Sequence, residues 1–336
     1  MTNDKVRTIA DIARLAGVSK STVSRALNDS PLVASETKER IRAIAREHRF
    51  QASALARRLS LRQSKTIAFV THAYHKDFSW VDLFGLEILG GVTQGLYESG
   101  YDTLVLHVDP KETDWIRQYL DTGRVDGFIL QTSTRKQIHV KALLEVGAPF
   151  IVWGFPLPGQ SFCSVTGDDL TGGRLATAHL IDRGCGRIAF LGGSKGEAEV
   201  KLRYAGYEAA LHDAAHPVDP KLVDYGDYSD TSGAAVMRML LERDPDLDGV
   251  FVNSDLMAIA AMDTIRETGR HVPGDVAVVG YDDLSIAAQA NPRLTTIRQN
   301  VPQAGRLLGR NLTEYLRTGV VTNVTVPVEL VVRESA

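Results

Sequence analysis

The sequence predicts a small all-α head joined to a large α/β body built as two doubly wound parallel-sheet lobes. Three observations carry this expectation. Charge is divided: residues 1–65 hold 14 Lys and Arg against 6 Asp and Glu, leaving 24 basic and 35 acidic residues of the chain's 38 and 41 for the remainder. The head contains "DIARLAGVSKSTVSRALN", two short runs of helical apolar period around one glycine. From residue 66 onward, strand-like apolar runs alternate with helical ones.

The totals narrow the function classes. At 336 residues the chain is longer than one ordinary domain. No apolar run reaches the length of a membrane span. The first residues show no charged segment followed by an apolar stretch, so no signal peptide is expected. Cys163 and Cys185 are too few and too far apart for a disulfide framework or a zinc site, which suits a reducing cytoplasm. A head of net charge +8 on a body of −11 points to a polyanionic partner for the head.

In the head, Thr8 is placed to cap a first helix, with Asp11 three residues on as in a capping box. Ile9, Ile12, Ala13 and Ala16 then form one apolar stripe. Gly17 stands where a left-handed C-cap is needed, and Ser19 is the next N-cap. Val23, Ala26 and Leu27 supply the inner side of the second helix. Two helices joined by a short glycine turn fit a helix-turn-helix DNA reader better than an ordinary helical hairpin. In that geometry the start of the second helix faces the major groove. Ser19, Lys20, Ser21 and Thr22 stand there, with Arg25 one turn on and Asn28 at the far end. A third helix is expected over residues 35–48, with Ile41, Ile44, Ala45 and His48 facing inward. Residues 53–65, "SALARRLSLRQSK", form a basic amphipathic segment that is marginal as an isolated helix. It orders only against DNA and a second copy of itself.

On "TIADIARLAGVSKSTVSRALN", "VASETKERI" and "ALARRLSLRQSKTIAFV", this stretch resembles the headpiece and hinge of the LacI/GalR family of bacterial transcription regulators. The resemblance implies that Lys20, Ser21 and Arg25 read bases and that Leu59 wedges into the operator's minor groove. Family members commonly place Pro and Asn before the hinge helix, where this chain has Ala52 and Ser53.

The body begins with "TIAFV" and continues through "DTLVLHV", "DGFILQ", "FIVWG", "RIAFLGG", "GVFVNS" and "VAVVGYD", separated by helical runs such as "LFGLEILGGVTQGLYESG". Repeated βα units imply parallel sheets covered on both faces, with a ligand crevice at the strand carboxyl ends. "RYAGYEAAL", "SDLMAIAAM", "VPGDVAVVGYDD" and "PRLTTIRQ" resemble the family's effector-binding core, which is periplasmic-binding-protein-like. The expected division is a headpiece over 1–52, a hinge over 53–65 and a core over 66–336. Within the core, 66–160 and 292–321 make the first lobe, and 161–291 and 322–336 the second, with crossings near Gln160, Asn291 and Thr322.

Candidate cleft residues stand at strand ends. By the resemblance Arg203 and Asp282 are effector ligands, a guanidinium fork and a carboxylate suited to sugar hydroxyls. The alternative is a structural ion pair across the cleft mouth. Asp169 and Thr171 are further candidates, and either Asn253 or Ser254 contributes. Of Phe78, Trp80, Phe84, Trp153 and Phe155, about half are expected in the core. Trp80 and Phe155 are the expected sugar-facing pair.

Other signals carry less. His72, His75 and Asp77 have metal-like spacing without a fourth ligand, and "GGSKG" is neither a P-loop nor a dinucleotide fingerprint. Asp168, Asp169, Asp282 and Asp283 suggest a carboxylate pair, but no nucleophile stands with a base. No catalytic residue, metal site or cofactor is expected. The sequence thus points to a homodimeric repressor that binds a pseudo-palindromic operator and is released by a sugar. A co-repressor with a non-sugar ligand and a sugar-binding protein without DNA function remain as alternatives. Residues 331–336, "VVRESA", follow a last strand without a leucine heptad, so dimers are expected in place of tetramers.

Overall fold

The computed structural model describes residues 8–27, 29–48, 50, 63–72, 83–131, 137–155, 159 and 161–336. It divides into two compact units, residues 1–64 and 65–336.

The first unit holds α1 (Ile9–Ala16), α2 (Lys20–Leu27) and α3 (Ser35–Glu47). Thr8 and Asp11 form the reciprocal capping box at the start of α1. Gly17 ends it at φ 64°, a left-handed conformation that costs any residue with a Cβ. Ile12, Val23, Ala26 and Ile41 are fully buried and close a three-helix core with Ala13, Ala16, Val33 and Ala45. His48, expected on the inner face, is exposed, because α3 stops at Glu47 and His48 takes the C-cap. Phe50 packs onto the core beyond it.

The second unit carries two six-stranded sheets. The first lobe contains β1 (Thr66–His72), α4 (Leu83–Glu98), β2 (Asp102–Val108), α5 (Trp115–Leu120), β3 (Gly127–Gln131), α6 (Gln137–Val146), β4 (Phe150–Trp153) and β5 (Cys163–Gly167). The second contains α7 (Asp169–Asp182), β6 (Ile188–Gly192), α8 (Ala198–Asp213), β7 (Val223–Tyr225), α9 (Asp230–Arg243), β8 (Gly249–Val252), α10 (Asp255–Glu267), β9 (Ala277–Asp282) and β10 (Thr295–Arg298). The chain then returns through α11 (Val301–Thr318) and β11 (Asn323–Val326) to the first sheet, and through β12 (Glu329–Val331) to the second.

The strand orders are β11-β5-β4-β3-β1-β2 and β12-β10-β9-β8-β6-β7, parallel except for β12 against β10. Central strands such as β3, β5, β6 and β8 are buried along most or all of their length, as strands covered on both faces must be. Two apolar clusters cover the faces of each sheet. α11 packs on α4 in the first lobe, reinforced by the Arg306–Glu98 ion pair.

The lobe crossings fall later than expected. β5 pairs with β4, so the chain leaves the first lobe after Gly167, not near Gln160. β10 pairs with β9, which moves the second crossing from Asn291 to Gln299. β11 pairs with β5, which moves the third from Thr322 to beyond Val326. The loops before β5, β10 and β11 look like crossings in sequence, yet each connects elements of one lobe or returns to it.

Candidate functional site

In the head, the Ser19 hydroxyl accepts the Thr22 N–H at 3.1 Å and lies 2.7 and 2.8 Å from the hydroxyls of Ser21 and Thr22. Three hydroxyls thus gather at the positive end of α2, a setting that favours a phosphate oxygen. Ser19, Lys20, Ser21 and Arg25 are exposed, and Thr22 is half-buried. Ser21 and Arg25 are four residues apart and share the face of α2 opposite Val23 and Ala26. Other cations of the head serve its fold: Lys38 and Arg42 both pair with Asp29, holding its carboxyl below the usual range. Asn28 and Leu59 lie outside the described residues.

In the body, strand ends of both sheets meet between the lobes. In the second sheet the strand order turns back between β6 and β8, the position where a crevice opens in doubly wound sheets. Asn253 and Ser254 follow β8 at that point. The Ser254 hydroxyl caps α10 by accepting the Met257 N–H at 3.3 Å. Asn253 is fully buried, and neither its Oδ1 nor its Nδ2 has a hydrogen-bond partner among the described residues.

Arg203 projects from α8 and is 5% exposed. Its Nε donates to Asp169 Oδ1 and its Nη1 to the Asn253 carbonyl, each at 2.8 Å. Its guanidinium lies 3.7 Å over the Tyr281 ring, and the Tyr281 hydroxyl donates to the same Asp169 oxygen at 3.2 Å. Gly172 makes room for that hydroxyl, since a Cβ there would stand 2.3 Å from it. Burial pushes the Asp169 carboxyl up, while the Arg203 charge and hydrogen bond pull it back. Burial also opposes the guanidinium charge, but the carboxylate outweighs it and Arg203 stays protonated. The ion pair therefore lies within the second lobe and does not bridge the cleft mouth.

Asp282 ends β9 at φ 113°, a strained conformation for a residue with a Cβ, and its Oδ1 accepts the Gln299 Nε2–H at 2.6 Å. Asp283 is held by Arg298 and Arg333 at 2.6 and 2.5 Å, and Asp168 caps α7 by accepting the Thr171 N–H at 3.2 Å. The Thr171 side chain itself is exposed. The four aspartates thus hold different groups: Asp168 caps a helix, Asp169 holds Arg203 and Tyr281, Asp282 holds Gln299, and Asp283 holds Arg298 and Arg333.

Phe84 and Trp153, half-buried with ring centroids 5.8 Å apart, pack on the first lobe's core. Phe155 is half-buried, whereas Phe78, Trp80, His75 and Asp77 lie outside the described residues. Two residues beside Arg203 and Asp282 escaped the sequence reading. Tyr228, at φ 71°, lays its ring on Gly193, where a Cβ would come within 2.1 Å. Burial keeps its hydroxyl neutral beside Arg203. An aromatic between a strand and the helix-capping Ser229 was the available signal. Gln299 is the other, and only strand pairing places it at a crossing.

Residues 8–53 match the family profile for bacterial regulatory proteins of the lacI family, and residues 177–336 match that for a periplasmic binding protein-like domain. The chain is 37% identical over 334 residues to the HTH-type transcriptional regulator CelR of Thermobifida fusca, covering 98% of each. It is 33% identical to the ribose operon repressor of Escherichia coli K12, covering 89% of this chain and 90% of that one. Among solved structures, a transcriptional regulator CelR–cellobiose complex superposes with TM-score 0.76 at 34% identity, covering 98% of this chain and 99% of that one. The lac repressor dimer bound to operator and the anti-inducer ONPF superposes at 0.81 with 27% identity, covering 98% of each.

Proposed function

The chain belongs to the LacI family of bacterial regulatory proteins, and on that premise we propose that it is a cytoplasmic repressor whose hold on operator DNA is released by a small carbohydrate bound between its lobes. One observation carries the carbohydrate reading: the Asn253 carboxamide, fully buried beside Arg203, offers a donor and an acceptor that nothing among the described residues satisfies. Leaving such groups unpaired costs about 1–3 kcal/mol each, so the site suits a ligand that both donates and accepts. A sugar hydroxyl does both. Arg203 and Asp282 add a cation and an anion, and Tyr228 and Phe155 supply aromatic faces for a pyranose ring. The similarity to a cellobiose-bound regulator makes cellobiose the first probe.

On the DNA side, Lys20, Ser21 and Arg25 read bases, Ser19 and Thr22 take phosphates, Asn28 also contacts the DNA, and Leu59 wedges the minor groove. A homodimer presents one head to each half of a pseudo-palindromic operator. Ligand binding changes the relation between the lobes, and the hinge segments lose their mutual packing on DNA. The ligand acts only by preferring one state. A hundredfold loss of operator affinity requires about 2.7 kcal/mol of that preference. The reading involves no cofactor and no chemical turnover.

The test is a mobility-shift titration on an operator selected from a random-sequence library, with cellobiose, glucose, ribose or guanine added. A sugar should raise the protein concentration needed for half-binding. Tighter binding with a sugar would make the ligand a co-repressor, and a response to guanine alone would end the carbohydrate reading.

A further inference from the structure

The chain leaves β9 through two consecutive residues at positive φ that both carry a Cβ, Asp282 at 113° and Asp283 at 57°. Aspartate tolerates the second conformation, which is left-handed helical, but not the first. Strain of that kind persists only where surrounding bonds hold it. Those bonds stand on the next two residues. The Asp283 side chain, 7% exposed, is gripped through both oxygens: Oδ2 accepts the Arg298 Nε–H at 2.6 Å and Oδ1 the Arg333 Nη2–H at 2.5 Å. Arg298 ends β10, and Arg333 lies two residues past β12. Each guanidinium is fixed in turn, Arg298 by Glu329 at 2.5 Å and Arg333 by the Leu294 carbonyl at 2.7 Å. One residue further, the Leu284 N–H donates to the fully buried Asp255 at 2.7 Å.

The turn that presents Asp282 is therefore pinned immediately beyond its strained residue, by side chains from β10, from α10 and from the segment after β12. Two charge-assisted bonds to a nearly buried carboxylate are strong enough to outweigh the strain of one unfavourable φ. We propose that Arg298 and Arg333 are positioning residues for the effector site. By clamping Asp283 they hold the turn that aims the Asp282 carboxylate at the ligand, without touching the ligand themselves. Released from the clamp, the turn relaxes toward negative φ at Asp282 and the carboxylate swings away. A plainer role would be to tie the segment after β12 to the second lobe, with no bearing on Asp282. The proposal rests on the carbohydrate reading above, with Asp282 as a ligand, and adds to it the residues that set the direction of that carboxylate.

The experiment measures cellobiose binding by calorimetry to the full chain, to Arg298→Met, to Asp282→Gly and to the double variant. Glycine accepts the φ of Asp282 without strain, so Asp282→Gly removes both the contact and the need for a clamp. Arg298→Met should weaken cellobiose binding roughly 10-fold in the parent protein. In the Asp282→Gly background it should cost less than about twofold, because one residue acts through the other. Amide hydrogen exchange over residues 282–286 should quicken in Arg298→Met while β8 stays protected. An equal loss in both backgrounds marks a merely structural tie and overturns the proposal. Unchanged affinity in Arg298→Met overturns it too, as does an Asp282→Gly variant that binds cellobiose as the parent does. Failure of the parent protein to bind any sugar removes the carbohydrate reading, and exchange then decides the clamp alone, unchanged rates overturning it. If Arg298→Met does not fold, Arg298→Lys, which keeps the charge and loses the Nε bond, replaces it with the same expected pattern.

Discussion

Replacing Arg203 by Met tests the electrostatics of the cleft floor. The substitution removes the Nε bond to Asp169, the Nη1 bond to the Asn253 carbonyl and the stacking on Tyr281. Shape is largely kept, so the main cost is the Asp169 carboxylate, 3% exposed and left with only the Tyr281 hydroxyl. Breaking a buried ion pair from one side typically costs about 3–5 kcal/mol. Arg203→Met should lower the unfolding free energy of the core by that amount. Adding Asp169→Asn removes the stranded charge while keeping an acceptor for Tyr281, so the double variant should recover roughly 2 kcal/mol. The assay is urea unfolding followed by tryptophan fluorescence. All three tryptophans, Trp80, Trp115 and Trp153, belong to the core sequence and none to the head, so the signal reports the core alone. A single variant within 1 kcal/mol of the parent protein, or a double variant less stable than the single one, would refute the reasoning.

Two further outcomes follow from the same geometry. Arg25→Ala should weaken operator binding by roughly 1–3 kcal/mol and relax sequence preference at one position per half-site, measured by mobility shift on an operator library. Unchanged preference would remove Arg25 from base reading. Burial and the nearby Asp248 carboxylate push the Cys185 thiol up to about 11. Neither it nor the buried Cys163 should react with an aromatic disulfide reagent at pH 8, whereas both should in urea. Because folding raises the Cys185 thiol, its stabilising contribution is complete below about 9 and is lost as pH climbs toward about 11.

The head was legible because its determinants are local. The Thr8–Asp11 box, the left-handed Gly17 and the Ser19 cap each depend on residues within four positions, and the apolar stripes meet because 3.6 residues make a turn. His48 was misplaced because helix period says nothing of where a helix stops without a strong cap. The body's strands were legible as buried apolar runs, but their sheet membership was not. A loop that stays in one lobe and a loop that crosses have similar composition, and strand pairing is settled by residues more than a hundred positions apart, as for β11 against β5.

Sequence by itself therefore determined the class of the protein: a basic helical reader before a two-lobed binding core, with Arg203, Asp169 and Asp282 as candidate cleft residues, of which Asp282 ends a strand and Arg203 sits within helix α8. Only tertiary structure decided what those residues do. Asp169 became the partner of Arg203, Ser254 became a helix cap, and the carboxamide of Asn253 and the Oε1 of Gln299 are among the buried groups left unsatisfied within the described residues. The physical reason is that a polar atom's role depends on which donors and acceptors remain unpaired after burial. That accounting exists only once distant strands have been brought together.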